Sequence, residues 1–202
     1  CGVGHLGSHL LIAGVNPIEV LEINEQVPDR TLEILNKKLA PENNLFAVFT
    51  IGYEFGLKLE KIRPRPKEFS NFDEPNVFLA LFDCLIVHDY DSEKTYLAGN
   101  ESKFDEIEKI LFDSPDSLHS PDFSPGSKII SNFSRRDYLE AVEKIKERIR
   151  RGDTYQTNLT RQIRVELPEN LACEQIFWRL RENHPAPFAA FLRRKNDVVI
   201  SA

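Results

Sequence analysis

Two stretches in the last quarter of the chain carry side chains whose types and spacing suit binding chemistry. Gln156, Asn158 and Thr160 alternate with Tyr155 and Leu159, and a row of neutral hydrogen-bonding groups suits either a solvated face or the wall of a polar ligand site. In Pro185-Ala186-Pro187-Phe188-Ala189-Ala190-Phe191, two prolines fix the backbone just before an aromatic residue enters a strand, and small alanines leave space beside it. That pattern fits a rigid helix-to-strand corner, or a pocket for a small amphipathic ligand. Elsewhere the reactive residue types are dispersed. His5, His9, His88, His119 and His184 are scattered along the chain, and no phosphate loop, nucleotide fingerprint or Ser/Cys nucleophile signature occurs. Cys1, Cys84 and Cys173 are widely separated and odd in number, which excludes a disulfide framework or a zinc site and reads as reduced thiols. Arg148, Arg150 and Arg151 close a helical pattern, where the helix dipole favours cations, so they read as helix design and not as an anion site.

Composition narrows the classes of function. The 202 residues are 41% hydrophobic and 10% aromatic, enough for one large domain or two small ones. With 26 Lys and Arg against 32 Asp and Glu, the formal charge is −6, which gives no support to nucleic-acid binding. No apolar run reaches the roughly 18 residues of a membrane span and no secretory signal opens the chain, so the expectation is a soluble cytoplasmic protein with no membrane partner. Methionine is absent even at position 1, and Asp197 to Ala202 ends inside a strand-like run. Both ends therefore read as cut.

The elements that must position these residues follow from periodicity. Residues 10–23 hold two apolar runs split by Asn16-Pro17, which predicts two strands meeting at a corner. A short helix over 32–39, a strand over 45–51 and a tight turn at Gly52-Tyr53-Glu54-Phe55-Gly56 come next. The proline-and-charge run 63–75 predicts an extended surface connection. Val77 to Phe82 and Cys84 to Val87 are strand-like, and turn residues Asp89 to Ser92 lead into Thr95 to Ala98, a hairpin central to a sheet. Lys103 to Phe112 has helical spacing, and three Ser-Pro pairs make 113–127 a loop and a boundary. The expected organisation is an N-terminal subdomain over 1–112, a linker over 113–127 and the start of a second domain over 128–202.

Beyond the linker the patterns sharpen. Ser134 to Asp137 fits a capping box, Tyr138, Val142, Ile145 and Ile149 share one helix face, and Gly152 supplies the stop. Apolar residues at odd positions from Tyr155 to Leu167 predict a strand with one buried face. A helix over Cys173 to Asn183 is ended by Pro185 and Pro187, and Phe188 to Leu192 with Val198 to Ile200 predicts a closing hairpin.

The segments Tyr138-Leu139-Glu140-Ala141-Val142, Gly152-Asp153-Thr154-Tyr155-Gln156-Thr157-Asn158-Leu159-Thr160 and His184 to Leu192 closely resemble the chorismate-binding enzymes, the component I subunits of aminodeoxychorismate synthase and anthranilate synthase. The likeness runs over about 134–202, with weaker echoes at Gly52 to Gly56, Phe78 to Asp89 and Ser8 to Pro17. Tyr155-Gln156-Thr157-Asn158-Leu159 and Pro185 to Ala190 look like the aminodeoxychorismate branch; the anthranilate branch usually has Phe-Gln-Val-Val-Leu and Pro-Ser-Pro-Tyr-Met.

The resemblance implies an α+β fold of antiparallel sheets packed face to face with helices outside. It implies Mg²⁺-dependent amination of chorismate, with ammonia from a glutamine amidotransferase subunit or fused domain. The catalytic groups and the Mg²⁺ ligands are expected beyond residue 202, so no catalytic or metal residue is assigned within the chain. By the same resemblance Ser8, His9 and Leu10 form one side, and Pro187, Phe188 and Ala189 the other, of a structural or regulatory pocket that holds tryptophan in several family members. Gly7 and His9 replace the Tyr and Arg usual near Ser8, which predicts that this chain does not bind tryptophan tightly.

Overall fold

The computed structural model describes residues 9–63, 74–113, 128–169 and 171–202. The connection read over 63–75 and the linker read over 113–127 fall almost wholly outside them. Two compact units emerge, one of Cys1–Leu118 with Leu180–Ala202 and one of His119–Arg179. Residues 128–202, grouped together by the sequence reading, are thus shared between the two.

The first unit is organised by β4 (Val77–Phe82), every residue of which is buried. Because side chains alternate across a strand, its odd and even positions serve two different cores. Val77, Leu79 and Leu81 face Ile23 and Leu35, with Leu21, Ile34, Leu45 and Ala47 packed around them. Leu35 and Ile34 belong to helix α1 (Pro28–Lys38), so this face of the sheet is covered by a helix. Phe78, Ala80 and Phe82 on the opposite face meet Phe46, Val48, Leu85 and Leu192. Burial of each large side chain contributes about 1.5–3 kcal/mol, which makes β4 the energetic centre of the unit.

Around β4 the sheet is antiparallel, in the order β2 (Glu19–Ile23), β4, β3 (Phe46–Ile51), with Leu21 opposite Leu79 and Phe49 opposite Leu79 from the other side. A second antiparallel sheet has the order β1 (Leu10–Ala13), β5 (Cys84–Asp89), β6 (Lys94–Gly99). Cys84 and Ile86 of β5 pack with Ile107 of helix α3 (Phe104–Asp113), while Leu85, one residue out of phase, reaches the Phe78 core. The layers therefore run α1, sheet, sheet, α3. The expected α+β architecture, with antiparallel sheets face to face and helices outside, is present. A two-stranded sheet of β9 (Ala190–Arg193) and β10 (Val198–Ser201) adds Leu192 to the middle layer.

The corner at Asn16-Pro17 does separate two strands, and it delivers them to different sheets; Asn16 takes φ 51°. The chain also changes sheets at Asp83, between β4 and β5. There Gly99 lies at φ 120°, and a side-chain carbon on it would stand 2.1 Å from the Asp83 carbonyl oxygen. Only glycine fits so close an approach in that conformation.

Gly52 to Gly56 is not a tight turn. It opens a helix, α2 (Tyr53–Leu59), with Gly52 as N-cap and Phe55 buried at 2% exposure. Gly52 is required for contact: a side-chain carbon there would meet the Pro75 carbonyl oxygen at 2.8 Å. Burial of Phe55 against the unit rewards a helical turn that the two glycines alone would disfavour. Asn76 locks this region together, accepting from Lys58 Nζ at 2.8 Å and donating to the Glu25 carbonyl at 2.9 Å.

In the second unit, helix α4 (Arg135–Arg150) starts as its sequence predicts. Ser134 Oγ accepts from the Asp137 N–H at 3.1 Å and donates to the Asp137 carboxylate at 2.7 Å. Phe133 and Tyr138 add an edge-to-face ring contact at 5.8 Å, a hydrophobic staple across the helix start. The helix gives way at Gly152, φ 80°. The strand expected over 155–167 is much shorter: only β8 (Ile163–Val165) forms, paired with β7 (Ile129–Ser131). An alternating pattern needs a neighbouring strand to become a ladder, and β7 offers three residues. No described residue of 128–179 is fully buried. Helix α5 (Cys173–Asn183) has its first seven residues in this unit and its last four in the other.

Candidate functional site

The first half of the expected ligand site lies at the start of β1. Leu10 stands opposite Asp89 of β5 in the ladder, and the His9 carbonyl accepts from the Tyr90 N–H at 3.0 Å. The His9 ring packs on the Tyr90 ring at 4.8 Å, and His88 meets the same ring edge-on at 4.6 Å. His88 Nδ1 is 3.0 Å from Thr95 Oγ1, and His9 Nδ1 is 3.8 Å from the Asp91 carboxylate. Ser8 lies outside the described residues.

Tyr90 opens the turn between β5 and β6, and Asp89 shapes that turn. Its carboxylate accepts from Ser92 Oγ at 2.9 Å and from the Asp91 N–H at 2.9 Å. These bonds, the Ser92 hydroxyl first, hold the Asp89 carboxyl below the usual carboxylate range, because hydrogen bonds to the charged form favour it.

The second half lies between α5 and β9. The His184 N–H donates to the Leu180 carbonyl at 2.8 Å and closes the helix, and the Ala189 N–H donates to the Ala186 carbonyl at 3.2 Å across a turn. Pro187 and Phe188 occupy that turn, and Phe188 is 72% exposed. Ala189 leads into β9. Beyond β9, Arg194 is buried between two carboxylates, 2.7 Å from Glu74 and 2.6 Å from Asp197. The Asp197 bonds first, then those of Glu74, push its guanidinium still further above the ordinary arginine range.

One residue touches elements from both halves. Arg181 Nη2 donates to the Tyr90 hydroxyl at 2.7 Å, with the guanidinium carbon 6.0 Å from the ring centre. Among the described residues no hydrogen bond, ion pair or ring contact joins His9 or Leu10 directly to Pro187, Phe188 or Ala189. Tyr90, His88 and Arg181 were not among the residues singled out in the sequence. No local pattern marks the contact of Tyr90 with Arg181 across 91 positions.

Gln156, Asn158 and Thr160 are exposed and outside any strand; the Thr154 hydroxyl donates to the Gln156 carbonyl at 2.9 Å. Cys84 is buried, and burial, reinforced by Asp83, pushes its thiol up, away from nucleophilic use. Among the described residues no three His, Cys, Asp or Glu side chains converge to hold a metal ion. No described helix is long and apolar enough to cross a membrane.

The family model described as chorismate binding enzyme matches residues 7–202. The chain is 25% identical over 182 residues to "Aminodeoxychorismate synthase component 1" of Bacillus subtilis, covering 85% of this chain and 38% of that protein. It is 26% identical over 229 residues to "Anthranilate synthase component 1" of Lactococcus lactis, covering 96% of this chain and 48% of that protein. It thus spans less than half the length of these relatives. Among solved structures, anthranilate synthase component I from Streptococcus pneumoniae shares the fold with a TM-score of 0.68 at 18% identity, over 91% of this chain and 47% of that one. With a family match over residues 7–202, nearly its whole length, the chain belongs to the chorismate binding enzymes.

Proposed function

We propose that this chain is the N-terminal portion of an aminodeoxychorismate synthase component I. The observation that carries the reading is the family match over 7–202; Gly152 to Leu159 and Pro185 to Ala190 favour this branch within it. In the proposed reaction a C–N bond forms from ammonia to chorismate, the C4–O bond breaks, and the hydroxyl leaves as water, giving 4-amino-4-deoxychorismate for para-aminobenzoate and folate synthesis. A glutamine amidotransferase, as subunit or fused domain, supplies the ammonia; the "component 1" of the relatives' names supports a partner. Mg²⁺ belongs to the proposal through the family resemblance, with ligands and catalytic groups outside this segment. Ser8, His9 and Leu10 with Pro187, Phe188 and Ala189 are proposed as two sides of an effector pocket for an amphipathic aromatic ligand.

A second reading, anthranilate synthase component I, is favoured by the Lactococcus lactis relative, which covers 96% of this chain. Product identification separates the two. The protein encoded by the whole reading frame is incubated with chorismate, Mg²⁺ and ammonium, and the products are resolved by chromatography with mass detection. Aminodeoxychorismate is the expected product. Anthranilate would transfer the chain to the second reading, and no turnover would sink both in favour of a noncatalytic module.

A further inference from the structure

We infer that Tyr90 is a positioning residue that sets the Pro185–Ala189 corner against the start of β1. Its contacts come from separate parts of the first unit: the backbone and ring of His9, the ring of His88, and the guanidinium of Arg181. The turn that carries Tyr90 is itself held by the Asp89 carboxylate through Asp91 and Ser92, so the ring is presented from a fixed backbone. A guanidinium-to-hydroxyl bond of 2.7 Å is charge-assisted and about twice as strong as a neutral one.

The consequence for the corner follows from where it is held. On the helix side, Arg181 lies one turn before His184 and ties the end of α5 to Tyr90. On the strand side, Leu192 is packed against Phe78, Ala80 and Phe82, and Arg194 is bound by Glu74 and Asp197. Between these anchors Pro185 and Pro187 restrict φ, so the placement of the two ends is transmitted to Phe188 and does not dissipate within the loop. The strand-side anchor fixes the corner to the β4 sheet; the Arg181–Tyr90 bond relates it to the segment that carries His9. The role in ligand binding rests on the pocket proposed above, but the positioning itself is measured without a ligand.

The test is amide hydrogen exchange on the protein encoded by the whole reading frame and on its Tyr90→Phe variant, which keeps the ring and removes only the hydroxyl. Exchange at the His184 and Ala189 amides is expected to speed up about tenfold, the factor that loss of one hydrogen bond to a charged group produces, with β4 unchanged. Arg181→Lys, which retains a donor, is expected to keep part of the protection. Unchanged exchange over 180–190 in Tyr90→Phe would overturn the proposal. So would an increase spread evenly over β4 and β5, which marks general destabilisation. Because no substrate enters this measurement, its failure is distinct from failure of the chorismate assay.

Discussion

Arg194 and Glu74 lie 120 residues apart in sequence and 2.7 Å apart in the structure, the arginine side chain 3% exposed and the carboxylate 31%. The pair ties the β9–β10 turn to the residues just before β4. Asp197 completes the site with bonds of 2.6 and 2.7 Å to the same guanidinium, so the buried charge is compensated on two sides. Removing one partner of such a site costs more than the pair contributes.

Arg194→Met is expected to destabilise the protein by about 3 kcal/mol, since it removes the compensating cation from two partly buried carboxylates. Glu74→Gln is expected to cost about 1 kcal/mol, because Asp197 still holds the guanidinium. Urea unfolding measures both, and equal losses would show that Glu74 and Asp197 do not share the load. A raised folded-state pKa gives stability that is complete below the unfolded value. For Arg194 that value lies far above neutrality, so its contribution is constant through the neutral range.

Acid should act on the Asp89 turn. Its pKa is lowered in the folded protein, so its contribution is complete above the unfolded value and is lost as pH falls through the folded one. Thermal melts should show the turn's stabilisation constant above about pH 5 and declining below about pH 4. Asp89→Asn should flatten that part of the profile; an identical decline in the variant would assign the acid sensitivity to other carboxylates.

Gly99→Ala places a carbon 2.1 Å from the Asp83 carbonyl at φ 120°. A loss of about 3 kcal/mol is expected from strain and displaced backbone, read as a lower urea midpoint. A near-neutral variant would show that the step from one sheet to the next is pliable.

Ser134→Ala removes both halves of the capping exchange with Asp137 and is expected to cost about 1 kcal/mol of α4 stability. Ser134→Asp, another good cap, should retain most of it. Helical circular dichroism through a thermal melt distinguishes the two variants.

Tryptophan is expected to bind this chain weakly, because Gly7 and His9 stand where the family usually has Tyr and Arg. Isothermal titration calorimetry with the protein encoded by the whole reading frame is the check. Micromolar affinity would refute that expectation and make the Phe188 corner a working effector site.

The features legible in the amino-acid order are local in origin. The cap at Ser134, the stop at Gly152, the α5 boundary before Pro185, the strands on either side of Asn16-Pro17 and the Asp89–Ser92 turn all follow from propensities and hydrogen bonds within a few residues. The motifs from Gly152 to Leu159 and from Pro185 to Ala190 pointed to the family for the same reason, since each is contiguous. Tertiary structure decided the rest. Burial of Phe55 made Gly52 to Gly56 the start of a helix, and the three-residue β7 limited the strand expected over 155–167 to Ile163–Val165. The assembly of Tyr90 with His9, His88 and Arg181, and of Arg194 with Glu74, joins segments up to 120 positions apart. Such contacts depend on which faces are buried together once the sheets stack, a property of the packed chain that no local window of residues contains.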